Sequence, residues 1–148
     1  MSVVIKPVGP QDYEHWLPLW QGYLAFYQAP YQAAVAEVSW QRFLDPAEPM
    51  HSWLAWQDGK AVGMVNTVEH RSSWMTGNYC YLQDLYVDPA CRGGGVGKSL
   101  IETVYAHAAA AGCGRVYWLT HESNATARSL YDTLADNLGY IQYRKNLS

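Results

Sequence analysis

The sequence predicts an α/β fold: a mixed, mostly antiparallel sheet with helices on both faces. The first half reads as strand, helix, helix, strand, strand, whereas the second half alternates strands with helices. A glycine-rich turn at residues 92–97 joins a strand to a helix in that second half. The length of 148 residues suits a single domain, residues 1–148, with a sizeable core.

The composition is typical of a globular protein and argues against several other classes. Apolar residues make up 49% and charged residues 16%, and no run approaches the roughly 20 apolar residues of a membrane span, so we expect no membrane partner. The N-terminus lacks a signal-peptide pattern. A net charge of −3 argues against a general nucleic-acid binder. The three cysteines, Cys80, Cys91 and Cys113, lack metal spacing, so we expect free thiols, a cytoplasmic location and no metal.

The first 44 residues are predicted to form one strand and two helices. Residues 3–7 read as a strand, and residues 9–12 read as a turn and helix N-cap. Pro18 predicts a kink or a restart in the helix that follows. Its apolar positions are Trp16, Leu19, Trp20, Tyr23 and Tyr27. A second helix is predicted at 33–44, and its candidate core positions are Val35, Val38 and Phe43.

The rest of the chain begins with a predicted hairpin. Residues 52–56 and 61–69 flank Asp58-Gly59, which is a strong turn signal, and a polar loop follows at 71–78. The remaining predicted elements are a strand at 81–87, a helix at 97–111, a strand at 115–120, a helix at 124–137 and a last strand at 140–144.

The glycine-rich turn predicts an anion site. Glycines let backbone N–H groups approach an anion, and the start of the following helix adds positive potential. A Walker A loop requires glycine where this chain has Arg92, and the dinucleotide-binding pattern requires glycine where it has Lys98. Neither of these phosphate-binding motifs is therefore complete.

Three motifs in order resemble one family. Arg92, Gly95 and Gly97 match the Arg-x-x-Gly-x-Gly signature of the GNAT superfamily of acyl-CoA N-acyltransferases. The likeness extends upstream through 81–87 and downstream to 124–131, and it covers about residues 79–145. The sequence most resembles the small members near the spermidine/spermine acetyltransferases and the yeast-type histone/polyamine acetyltransferases. The resemblance implies that the fourth and fifth strands form a splayed parallel pair.

The resemblance also implies acetyl-CoA as co-substrate. The pantetheine arm would pair with the backbone near 85–87, and the pyrophosphate would meet the amides of 92–98, with Arg92 or Lys98 adding charge. Ser99 would offer a hydroxyl, and Asn124 would contact the CoA arm. The implied cofactor-binding residues are Leu85, Tyr86, Val87, Arg92, Gly93, Gly94, Gly95, Val96, Gly97, Lys98, Ser99, Asn124 and Tyr131.

The catalytic assignments rest on the same resemblance. Tyr131 matches the family's tyrosine beside the CoA sulfur, so it is the expected acid, and the N–H of Val87 is a candidate oxyanion donor. Gln83 stands where polyamine acetyltransferases commonly have glutamate, and glutamine cannot accept the proton. Asp84 is adjacent, although neighbouring strand residues point to opposite faces unless a bulge intervenes. Other candidates for the base are Glu122 and His121.

The expected activity is N-acetylation of a primary amine on a small molecule by direct attack. Two alternatives stay open: a polyamine or protein/histone-type acceptor, and a non-catalytic CoA-binding sensor. A dense group of aromatic residues in the first two helices suits an amine through cation–π contact, and this density also makes a homodimer plausible. Distal ammonium groups would need carboxylates, for which the candidates are Asp84, Glu122, Glu37 and Glu48.

Overall fold

The computed structural model describes residues 2–148, which form a five-stranded sheet in the order β1-β2-β3-β4-β5. The first four strands are antiparallel, and β5 runs parallel to β4. This confirms the predicted mixed sheet. The strands are β1 (Val4–Pro7), β2 (Met50–Gln57), β3 (Lys60–Arg71), β4 (Asn78–Val87) and β5 (Arg115–Tyr117). The helices are α1 (Tyr13–Phe26), α2 (Ala33–Leu44), α3 (Val96–Ala110) and α4 (Ala125–Tyr131), with 3-10 turns at Pro10–Asp12 and Pro89–Cys91.

Each face of the sheet is covered by helices, and each has its own apolar core. One face packs under α1 and α2, where Trp16 is fully buried against Leu54 and Met64 of the strands. The other face packs under α3, where Leu100, Ile101 and Val104 are fully buried. Burial of these side chains is the main favourable contribution to folding.

A bulge and a splay interrupt the regular sheet at β4. Leu82 pairs with Thr67, and Asp84 pairs with the preceding residue, Asn66. Gln83 is therefore an extra residue of β4 that has no paired residue on β3. On its other side, β4 pairs with β5 only at Tyr79–Tyr81. The C-terminal half of β4 therefore has an edge that diverges from β5.

The helical predictions in the first half need two corrections. Helix α1 runs through Pro18 without a break, so the predicted alternative of a restart was wrong. Pro18 is exposed, while Trp16 and Leu19 anchor the helix in the core. In α2 the buried residues are Ala36 and Trp40, four positions apart on the face toward the sheet. Val35 and Val38 are 49% and 45% exposed, so their assignment as core positions was wrong, whereas Phe43 does pack against the core.

The end of the chain departs most from prediction. Strand β5 ends at Tyr117 instead of 120, because beyond this point it has left β4 and has no ladder partner. Helix α4 ends at Tyr131 instead of 137, and the chain continues as a turn at 132–134. The predicted last strand at 140–144 is absent from the described residues 2–148, since no neighbouring strand pairs with it. Its apolar side chains are left exposed, as are those on either side: Leu138, Tyr140, Ile141, Tyr143 and Leu147.

Candidate active site

The diverging edge of β4 presents unpaired backbone groups to the gap beside β5. Gly63 and Val87 face each other as a pair, and the next residue, Asp88, donates its N–H to Val62 O at 2.8 Å. Because N–H groups alternate between the two edges of a strand, the N–H of Val87 points away from β3 and into the gap. The Val87 carbonyl points the same way and accepts a bond from Arg92 Nε at 3.1 Å. A buried edge of this kind needs a hydrogen-bonding partner.

The glycine loop lies at the end of this gap. Gly93 and Gly95 have φ values of +86° and +82°, a conformation that side-chain-bearing residues adopt only with strain. Gly95 is the N-cap of α3 and provides no side-chain cap. Ser99 N–H bonds to Gly95 O at 3.0 Å, and within residues 2–148 the amides of 96–98 are the uncapped N–H groups of the first turn. Such amides are an anion-binding site at the positive end of a helix dipole.

Arg92 joins the loop to helix α1. Its guanidinium lies 5.6 Å from the ring centres of both Phe26 and Tyr86, in cation–π geometry. Helix α1 approaches β4 closely here, since a Cβ on Gly22 would lie 2.7 Å from the Tyr86 hydroxyl. Glycine at position 22 therefore lets the C-terminal end of α1 reach the gap.

A buried carboxylate lies on the α1 side of the bulge. Asp84 is only 8% exposed, and its Oδ2 accepts a bond from Asn66 Nδ2 at 3.1 Å. Asn66 is itself held by Ser52 Oγ, which donates to Asn66 Oδ1 at 2.7 Å. The Tyr23 hydroxyl is a second neutral donor near Asp84 that lowers the pKa of this carboxyl group. Burial raises the pKa of Asp84 from 3.8 to about 6, against the opposing effect of these neutral donors.

Several tyrosines surround Asp84. Burial is the main reason that the pKa values of Tyr23, Tyr27 and Tyr81 are raised, and the charge of Asp84 is the next cause for each. Tyr131 lies at the end of α4 with its ring 5.4 Å from that of Trp118. The pKa of Tyr131 is raised mainly by burial and secondly by electrostatic interaction with Tyr27. Tyr27 is thus coupled electrostatically to both the Asp84 carboxylate and the Tyr131 hydroxyl.

Comparison with known proteins agrees with this geometry. A profile described as the Acetyltransferase (GNAT) family matches residues 16–135. The chain belongs to the GNAT acetyltransferase family. The D-amino-acid N-acetyltransferase HPA3 of Saccharomyces cerevisiae is 35% identical over 146 residues, which cover 97% of this chain and 91% of the relative. The thialysine N-epsilon-acetyltransferase of Sus scrofa is 40% identical over 63 residues, 43% of this chain and 36% of that protein.

Solved structures share the fold of this GNAT acetyltransferase. The aminoglycoside acetyltransferase AAC(6')-Iy, in complex with the bisubstrate analogue CoA-S-monomethyl-acetylneamine, superposes with a TM-score of 0.84 at 21% identity, covering 99% of each chain. The ribosomal-protein-alanine N-acetyltransferase of Brucella melitensis biovar Abortus 2308 superposes with a TM-score of 0.82 at 19% identity. That match covers 99% of this chain and all of the Brucella chain.

The residues present in this GNAT acetyltransferase fit coenzyme A. The uncapped amides of α3 suit a pyrophosphate, and the Val87 edge suits the amides of a pantetheine arm. Thr120 adds a third observation, because its buried Oγ1 has no partner within residues 2–148. It follows β5 on the far side of the gap, and an orphaned hydroxyl there can bond to a ligand.

The predicted site residues divide into those near Asp84 and those away from it. The bulge turns Gln83 outward, where it is exposed. Glu122 is also exposed, and only its backbone carbonyl is engaged, by Arg128 Nη1 at 2.8 Å. The ring of His121 lies 5.9 Å from that of Tyr27, whereas Glu37 belongs to α2 and Glu48 to the turn after it. Of the predicted carboxylates, Asp84 alone is both buried and surrounded by tyrosines.

Other predicted residues have structural contacts as well. Asn124 caps α4, with its Oδ1 accepting from Ala127 N–H at 3.3 Å, and this cap leaves its Nδ2 able to serve a ligand. Lys98 is exposed in the first turn of α3. The sequence reading missed Asn66 and Thr120. No local pattern marks either residue, because Asn66 is engaged by contacts across the sheet and Thr120 is distinguished by a buried hydroxyl that has no partner within residues 2–148.

Proposed function

We propose that this GNAT acetyltransferase transfers an acetyl group from acetyl-CoA to a primary amine of a small molecule by direct attack, within one catalytic domain over residues 1–148. The observation that carries the proposal is the buried Asp84 carboxylate beside the open edge of β4. A carboxyl group with a pKa near 6 is mostly ionised at neutral pH and remains a stronger base than an exposed aspartate. The catalytic set that we propose is Asp84 and Tyr131.

In the proposed reaction, Asp84 and Tyr131 transfer protons and the backbone N–H of Val87 stabilises negative charge. Acetyl-CoA would supply the acetyl group as a thioester. Asp84 takes the proton that the ammonium form of the acceptor must lose, directly or through the Tyr23 or Tyr27 hydroxyl. The N–H of Val87, already directed into the gap, donates to the carbonyl oxygen as negative charge develops there. Tyr131, kept protonated by burial, donates its hydroxyl proton to the thiolate as the C–S bond breaks, and the proton that the attacking nitrogen loses restores the tyrosine.

The acceptor that this site favours carries one amine on an apolar or aromatic body. Tyrosine rings surround Asp84, and a second buried carboxylate for a distal ammonium is absent from residues 2–148. The yeast relative acts on D-amino acids and the pig relative on thialysine, both compact amines, so an amino-acid-like amine is the proposed substrate class. Polyamines and protein N-termini or lysines remain the competing acceptors.

Calorimetry and thiol release test the proposal together. Replacing Gly95 with valine forces a branched residue to φ +82° and blocks the approach of phosphate, so CoA affinity should fall at least roughly 100-fold. Gly112→Val imposes similar strain at φ +78° beyond the other end of α3 and should bind CoA within about threefold of wild type. Equal affinity in both variants would contradict the loop assignment.

Turnover separates an enzyme from a CoA sensor. The wild-type protein should release free thiol from acetyl-CoA with at least one amine in a panel of amino acids, aromatic monoamines and polyamines. Tight CoA binding without thiol release for any member would favour the sensor.

We also propose that the protein forms a homodimer through its C-terminal segment, residues 138–147. In that segment Tyr140, Ile141 and Tyr143 are 76–91% exposed, and a second copy would cover them. Wild type should elute as a dimer in light scattering, and Ile141→Asp/Tyr143→Asp should elute as a monomer. A monomeric wild type at micromolar concentration would refute this arrangement.

A cytoplasmic location is the last part of the proposal. Cys80, Cys91 and Cys113 are free thiols, which persist in a reducing compartment. Among the described residues, no helix combines the length and apolarity that crossing a bilayer requires.

A further inference from the structure

A second cluster of titratable side chains lies on the opposite face of the sheet from Asp84. His51 of β2, Glu69 of β3 and His107 of α3 converge there. His107 Nε2 is 2.7 Å from Glu69 Oε1, and His51 Nε2 is 3.8 Å from the same oxygen. Glu69 pairs with Cys80 near the start of β4, so this cluster lies toward the opposite end of β4 from Val87.

We propose that these three side chains bind a divalent transition-metal ion of the zinc class. Two imidazole nitrogens and one carboxylate oxygen form a ligand set that Zn²⁺ accepts, with a fourth position for water. Their ligand atoms all lie within 4.8 Å of one another. Tetrahedral zinc at its usual bond lengths separates its ligand atoms by about 3.3 Å. The 2.7 Å and 3.8 Å distances lie on either side of that value, so small side-chain rotations would form the site.

The surroundings hold the ligands in place while leaving an entry path. The ring of Trp53 lies 4.9 Å from that of His107 and 5.9 Å from that of His51, and Trp53 is itself buried. The side chains of His51, His107 and Glu69 are 37%, 25% and 13% exposed. A metal ion can therefore reach ligands whose positions are already restricted by packing.

The consequence is stability rather than catalysis. The ligands come from three elements, so a bound ion joins β2, β3 and α3 across the sheet and helix interface. An ion that binds the folded chain and not the unfolded chain raises the free energy of unfolding by linkage. Because the cluster faces away from Asp84, this inference stands whether or not the proposed acetyl transfer is correct.

Metal titration of the chelator-treated, full-length protein tests the inference. Co²⁺ should produce visible bands of a four-coordinate site that saturate at one equivalent, and Zn²⁺ should abolish them with a dissociation constant of about 10 µM or tighter. Zn²⁺ should also raise the melting temperature. Absence of saturable binding below about 100 µM would overturn the proposal.

Matched histidine variants locate the site. His51→Asn and His107→Gln should each weaken Zn²⁺ binding at least roughly tenfold and remove the zinc-dependent rise in melting temperature. His70→Gln is the control, since His70 follows Glu69 on β3, faces the opposite side and bonds to Tyr117 Oη at 2.6 Å. If His107→Gln proves unstable, zinc binding by His51→Asn tests the assignment instead, because His51 makes no short hydrogen bond to Glu69 whose loss would weaken the fold. Unchanged binding in His51→Asn, or equal loss in His70→Gln, would refute the assignment.

Discussion

Asp84 and Glu69 lie on neighbouring strands, face opposite sides of one sheet and have different partners. Asp84 is 8% exposed and is held by neutral donors, the Asn66 amide and the Tyr23 hydroxyl. The Glu69 side chain is 13% exposed and faces two imidazoles, His107 and His51. Both carboxylates are sheltered from water, so the nature of the partner distinguishes them.

Neutral donors stabilise a carboxylate without supplying an opposite charge, and they do not fully offset its desolvation. Asp84 accordingly has a pKa raised to about 6 and keeps a high proton affinity at the open end of the sheet. Imidazoles instead bring nitrogen lone pairs to the same point as the carboxylate oxygen, which is the arrangement of a metal-ligand set. This difference underlies the two proposals, proton transfer at the Asp84 cluster and metal binding at the Glu69 cluster.

The largest effect expected is on turnover. Asp84→Asn keeps the shape and removes the base, so kcat/KM should fall by roughly 10³-fold. Glu69→Gln makes the same change in the other cluster and should lower kcat/KM by less than about tenfold. Steady-state kinetics with saturating acetyl-CoA measure both variants. Similar losses of kcat/KM in Asp84→Asn and Glu69→Gln would contradict the proposal that only the Asp84 cluster takes part in catalysis.

Tyr131→Phe probes the other member of the catalytic set. It keeps the ring against Trp118 and removes the hydroxyl, so kcat should fall roughly 100-fold with CoA affinity nearly unchanged. Tyr105→Phe is the control, because the Tyr105 hydroxyl bonds to Leu134 O at 2.8 Å and contributes about 1 kcal/mol of stability. An unchanged kcat in Tyr131→Phe at saturating amine would remove Tyr131 from the mechanism.

Stability measured against pH tests the Asp84 cluster independently of activity. Its folded pKa is raised, so between about pH 4 and 6 the folded state holds a proton that the unfolded state has lost, and stability falls as pH rises. Above that window Asp84→Asn should be more stable than wild type by up to about 3 kcal/mol, and at pH 3 the difference should vanish. Denaturant unfolding at several pH values measures this. A variant that is less stable at pH 8 would show that the charged form is not penalised.

The smallest effect expected concerns the acceptor. One buried carboxylate among tyrosines should favour an aromatic monoamine or amino-acid-like amine over spermine by roughly tenfold in kcat/KM. Salt should change this preference little, because screening chiefly weakens attraction between a polycation and exposed acids. Spermine preferred by about tenfold with strong salt sensitivity would instead indicate a polyamine site.

Local patterns were enough for most elements of the first 111 residues and for the backbone conformation of the glycine loop. The second helix was predicted at 33–44 and found at Ala33–Leu44, and the Asp58-Gly59 hairpin lies where its turn signal placed it. Helical periodicity and turn chemistry act over a few residues, so the sequence carries them directly. The glycine loop is of the same kind, since positive φ at Gly93 and Gly95 is a requirement of the local backbone.

Which side chains meet was decided by the tertiary structure. The extra residue at Gln83 places Asp84 on the α1 face, where Asn66 and Tyr23 reach it from other elements. His51, Glu69 and His107 have no metal-binding spacing in the chain, yet they converge because β2, β3 and α3 pack together. The alternation at 140–144 predicted a strand, but a strand also needs a neighbour, which this chain does not supply within residues 2–148. Local propensity depends on adjacent residues, whereas these contacts depend on strand register and on how the helices pack across the sheet.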